Sequence, residues 1–112
     1  MRFVTLLIFL VIAFPVSAEE RQERLTLGEG EHYEICSIRS LGDVIDYQFS
    51  TSDTVDFNIH FHKEGMTRYP VKQKNVRSLE GTYSVDTAIG HCLMWNNRHP
   101  WEVDVDIIVS YR

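Results

Sequence analysis

The chain is short of the features that mark catalysis or nucleic-acid binding. No Gly-x-Ser-x-Gly elbow, Walker loop or His-Glu-x-x-His motif occurs in its 112 residues. The common routes to an activated serine, a cradled nucleotide or a protease zinc are therefore excluded. Ser, His and Asp are scattered over strand-like segments with no recognisable nucleophile, and pairs such as Asp104 and Asp106 read as solvated charge. A non-enzymatic protein is expected. Basic residues are also scarce: eleven Lys and Arg stand against sixteen Asp and Glu, a net charge of −5. A nucleic-acid partner, which calls for a basic face, is not expected. No sustained helical periodicity, internal repeat or low-complexity tract occurs, and no Asn-x-Ser/Thr sequon. Cysteine is limited to Cys36 and Cys92, without Cys-x-x-Cys spacing.

What is present begins with an export signal. Arg2 supplies a short positive region, residues 3–14 are apolar except for Thr5, and Pro15 breaks the run. Val16-Ser17-Ala18 then offers a signal-peptidase site. The apolar run is shorter than the roughly 20 residues that span a bilayer. We therefore expect residues 1–18 to be a signal peptide cleaved after Ala18, and the mature chain to be secreted or periplasmic with no membrane span. Cleavage removes one cation, Arg2, leaving ten basic against sixteen acidic side chains, a net −6. In an oxidising compartment Cys36 and Cys92 are expected to pair.

Residues 19–30 are polar, with Gly28 and Gly30, and read as a flexible lead-in with a short strand at 25–27. From residue 31 onward, period-two alternation dominates. Ile45, Tyr47 and Phe49 alternate with polar residues, as do Val55, Phe57, Ile59 and Phe61, then Tyr83 and Val85, and finally Trp101 through Tyr111 with Ile108 as the exception. Residues 89–95 form a more uniformly apolar run. Turn signals at 41–43, 50–53, 63–65, 80–81 and 96–100 separate these segments. The expectation is one all-β domain over 31–112, a two-sheet antiparallel β-sandwich of seven to eight strands with one disulfide.

Several runs taken together carry a family resemblance: Ile45-Asp46-Tyr47-Gln48-Phe49, Val55-Asp56-Phe57-Asn58-Ile59, Gly81-Thr82-Tyr83 and Leu93-Met94-Trp95-Asn96-Asn97 before the closing strand. Their order and spacing resemble the GOLD domain, the luminal β-sandwich of ER–Golgi vesicle cargo receptors. The resemblance covers residues 31–112 and implies a sandwich that binds proteins or ligands. It also implies a disulfide between an early strand and the penultimate one, which Cys36 and Cys92 would supply. The coiled coil, membrane span and sorting tail of the cargo receptors have no counterpart in this sequence, so their sorting role is not carried over.

Two places could carry chemistry. Trp95 and Trp101 flank Asn96-Asn97-Arg98-His99-Pro100, a concentration of aromatic, amide, guanidinium and imidazole groups of the kind found at binding hot spots. This loop is the expected contact for an unknown protein or peptide partner. The segment around Pro70 reads as an edge strand open to augmentation by a peptide. The second place is His60-Phe61-His62, whose imidazoles share one strand face about 7 Å apart at their roots. With His91 and Met94 as further ligands, this pair is the alternative reading, a small copper- or zinc-binding protein. Otherwise no cofactor is expected. His91 shares parity with Leu93 and Trp95, which also suits a packed core histidine.

Overall fold

A computed structural model describes residues 19–112. The expected signal peptide lies outside the described residues. The protein is all-β: β1 (Glu19–Leu27), β2 (His32–Ile38), β3 (Val44–Lys63), β4 (Met66–Ser84), β5 (Gly90–Asn96) and β6 (Val103–Tyr111). All pairings are antiparallel, in the order β1-β6-β3-β5-β2, with β4 paired to the other side of β3. Among the described residues no helix is long and apolar enough to cross a membrane.

The expected sandwich of seven to eight strands is thus corrected: the described residues form six strands in one sheet, curled into a half-barrel. The cause lies in β3. Its first half pairs with β6, from Ile45 opposite Tyr111 to Thr51 opposite Val105. Its second half pairs with β5, from Asp56 opposite Asn96 to His60 opposite Cys92. The two alternating runs at 45–49 and 55–61 are therefore halves of one strand. The expected turn at 50–53 is a bend where the β3–β4 register shifts between Ser50 and Val55. Irregularities of this kind increase local bending and twist, which lets one sheet close over its own core.

Two other expectations change. Glu19–Leu27, read as a loose lead-in, pairs with β6 along its whole length. Residues 19–24 are polar on both faces, so alternation marked only the short strand at 25–27. Cross-strand bonds from Arg24 to Asp106 (2.6 Å) and Thr26 to Asp104 (2.7 Å) accompany the pairing. Gly81 is not in a turn but inside β4, opposite Tyr47. A Cβ there would run into the Tyr47 ring, so glycine permits the close approach.

The core is built from the odd-numbered residues of β3 and the matching faces of β5 and β6. Phe57 lies at its centre, 5.0 Å from the rings of Tyr47 and Phe49 and 5.3 Å from Trp95, measured between centroids. Such tilted pairs add about 0.5–1.5 kcal/mol each beyond area burial. Because aromatics from both halves of β3 meet there, the bend and the core form together.

Candidate functional site

The Asn96–Pro100 loop lies against the bend of β3, and its residues divide sharply by role. Trp95 is fully buried, in edge contact with Phe49 at 5.9 Å. Asn97 is also fully buried. Its amide nitrogen donates to the carbonyls of Leu27 (3.1 Å), Gly28 (2.9 Å) and Trp101 (2.7 Å), and its Oδ1 accepts from the His99 amide at 2.9 Å. Its backbone N–H donates to Glu31. Asn97 therefore ties the 28–31 turn to the loop. Gly30 in that turn takes φ +67°, a conformation glycine adopts at little cost. Neither Trp95 nor Asn97 reaches the surface, which corrects their expected role as partner contacts.

Trp101 is different. It is 53% exposed and stacked flat on His99, with centroids 4.7 Å apart and an interplanar angle of 14°. Its indole N–H donates to Asp53 at 3.0 Å. The Asp53 carboxylate also accepts from the Thr54 amide, and Arg77 stands 3.4 Å away. The Thr54 hydrogen bond, followed by that of the indole, holds the Asp53 pKa below its ordinary value. Arg98 pairs with Asp56 at 3.1 Å, and Asp56 in turn accepts from the Asn75 amide. The result is an aromatic plate anchored to the bend by Asp53, which Arg77 shares, with Arg98, next to His99 in the chain, tied to Asp56.

The plate is not arranged as a catalytic relay. His99 Nε2 meets Thr54 Oγ1 at 2.8 Å and lies 3.6 Å from Asp53. Hydroxyl and carboxylate share one ring nitrogen. A relay needs the carboxylate on the opposite nitrogen to orient the base.

The histidine pair stands on the outer face of the second half of β3. Their rings are 5.5 Å apart, and the Tyr69 ring is 5.8 Å from His60. His60 is only 6% exposed although it points away from the core. In register it lies opposite Cys92, which is bonded to Cys36 of β2. Its Nδ1 is 2.7 Å from the Asn58 side-chain oxygen Oδ1, and its Nε2 is 3.6 Å from Glu34. Burial lowers its pKa; Glu34 opposes that shift and His62 adds to it. His62 is exposed, with Nδ1 at the Thr67 hydroxyl, 3.0 Å.

The further ligands expected from the sequence are not all there. His91 is fully buried on the opposite face, against Phe61 at 4.9 Å and Tyr83 at 5.7 Å. Its Nδ1 bonds the Ile89 carbonyl at 2.8 Å. It cannot join His60. Met94 shares the outer face, opposite Asn58 in register. Glu34, which sequence reading missed, comes to His60 through the β2–β5–β3 pairing. A carboxylate 26 positions away leaves no local signal. A cleft of about 180 Å³ continues this face, lined by Asn58, Tyr69, Lys72, Lys74, Met94 and Arg98 among others.

Comparison with known proteins places the fold. No family model matches the chain, and no curated protein matches it. Among solved structures it is similar to Aeromonas hydrophila PliG, a periplasmic lysozyme inhibitor of g-type lysozyme. The TM-score is 0.67 at 11% identity, over 90% of this chain and 93% of that one. It is also similar to the Yersinia pseudotuberculosis-derived mitogen, with a TM-score of 0.53 at 8% identity over 84% and 86% of the two chains. These likenesses define a small all-β fold. They do not bear out the GOLD relationship.

Proposed function

We propose that this chain is an exported, non-enzymatic protein-binding module whose contact surface is the Trp101–His99 plate. The observation that carries the reading is the half-exposed tryptophan, held in place by His99 and Asp53, with Arg77 on the same carboxylate. A large aromatic already fixed in place loses little entropy on binding, and Trp and Arg dominate hot spots. The disulfide supports an oxidising compartment. The shared fold with a periplasmic lysozyme inhibitor makes lysozymes the first partners to try.

The test is calorimetry of the mature chain against a g-type and a c-type lysozyme, alongside a muramidase inhibition assay. Binding by one of them, weakened about tenfold or more by Trp101→Ala, is expected for a central aromatic anchor. Absence of binding to either removes lysozymes as the partner class. Binding untouched by Trp101→Ala removes the plate as the contact.

A further inference from the structure

We propose that Glu34, His60 and His62 form a site for a divalent transition-metal ion, Zn²⁺ or Cu²⁺, on the outer face of the sheet beside the Cys36–Cys92 bond. The first support is spacing. His60 Nε2 and a Glu34 carboxylate oxygen stand 3.6 Å apart. Two ligands at about 2.0–2.1 Å from a tetrahedral ion stand roughly 3.3 Å from each other. A small movement of the exposed end of Glu34 closes that difference.

The second support is orientation. The Asn58 side-chain oxygen Oδ1, 2.7 Å away, can only accept, so His60 Nδ1 carries the hydrogen and donates it to that bond. That leaves a lone pair on Nε2, facing a carboxylate. Two acceptors aimed at one another leave a gap that a cation fills. A ligating histidine characteristically has its other nitrogen held in this way by an oxygen acceptor.

The third support is the scaffold. His60 and Glu34 lie on neighbouring rows of paired strands, with Cys92 opposite both Cys36 and His60. Burial of His60 limits its contact with bulk water. His62 is the third ligand. It shares the face, is exposed, and has its ring 5.5 Å from that of His60; to ligate it must rotate from its present place, where Nδ1 meets the Thr67 hydroxyl. Water completes the shell. Two imidazoles and one carboxylate suit Zn²⁺ and Cu²⁺ rather than Ca²⁺, which takes six to eight oxygens. The nearby sulfurs of Cys36 and Cys92 are bonded to each other and supply no thiolate. The site is separate from the Trp101 plate, so either reading can fail alone.

The test uses tag-free mature protein with the disulfide intact. It is titrated with ZnCl₂, CuCl₂ and, as a control, CaCl₂ by calorimetry, with retained metal measured by mass spectrometry after dialysis. One equivalent of Zn²⁺ or Cu²⁺ at micromolar affinity or better is expected, and no Ca²⁺. Glu34→Gln and His62→Ala should each weaken binding about tenfold or more, and His60→Ala should abolish it. The first two alter exposed or half-exposed groups, so they keep the test decisive if His60→Ala does not fold. Absence of a stoichiometric ion, or full affinity in both Glu34→Gln and His62→Ala, overturns the site.

Discussion

The two halves of β3 obey the same alternation and meet different surroundings. Between residues 45 and 50 the outward side chains are Asp46, Gln48 and Ser50, half-exposed or exposed. Between 56 and 62 they are Asp56, Asn58, His60 and His62, and His60 is buried. The difference comes from neighbours. The first half runs beside the outward Asp106, Ile108 and Ser110 of β6, none of them aromatic and none closing over it, so Gln48 stays exposed even opposite Ile108. The second half runs beside the disulfide and the ring of Tyr69, which wall in the imidazole. Alternation decides which face a residue takes. What covers that face decides whether the residue is wet, and chemistry gathers where the covering is partial.

Cutting the disulfide should break this contrast with the largest effect. The bond closes a sequence separation of 56, and on the chain-entropy model its loss costs about 4 kcal/mol. Urea unfolding of the Cys36→Ala/Cys92→Ala double variant measures it. Hydrogen exchange should show protection lost first in β2 and β5, beside the second half of β3, and later in β1 and β6. Equal loss throughout would mean that the halves unfold as one unit. Gly81→Ala probes the first half instead. The added methyl runs into the ring end of Tyr47, which is packed on Phe57, so the ring has to shift against its neighbour. Overpacking of this kind costs about 1–3 kcal/mol, read as a lowered urea midpoint with an unchanged slope.

Much of the fold was legible because alternation is a local signal. The face of β6 carrying Val103, Val105, Ile107, Val109 and Tyr111 is buried as expected, with Ile108 the predicted exception, but Trp101, read onto the same face, precedes the strand and is exposed. The all-β class and the Cys36–Cys92 pair also follow. Strand number did not, because a bend and a turn look alike: residues 50–53 carry turn chemistry yet β3 passes through them. Nor did the first six residues of β1, whose hydrogen bonds go to β6 while both their faces are polar; only the 25–27 end showed a strand. The candidate sites were half legible. Composition pointed to the Trp95–Trp101 loop, but only packing separates Trp95, which is core, from Trp101, which is surface. Parity pairs His60 with His62, whereas Glu34 and Tyr69 arrive through β2 and β4, by strand pairing that no local window contains.

The smallest effect sharpens the comparison from the solvated side. Asp46, on the outer face of the first half, accepts from Arg112 at 2.7 Å and from the Thr82 hydroxyl at 2.8 Å. These bonds, that of Arg112 foremost, hold its pKa below the ordinary carboxylate value. A folded-state pKa below the unfolded one means that the contribution is fully present above the unfolded value. It is lost as pH falls through the folded one. Stability should therefore decline on acidification below the ordinary carboxylate pKa, and Asp46→Asn should remove part of that decline while changing little at neutral pH. The group is solvent-exposed and salt screens it, so the effect should shrink further in high salt. Urea midpoints of the wild type and Asp46→Asn, followed from neutral to acid at low and high ionic strength, measure it. A wild-type acid slope unchanged by the substitution would show that the ion pair on the first half contributes nothing. The acid sensitivity would then arise elsewhere, with Asp53 under the Trp101 plate the next carboxylate to replace.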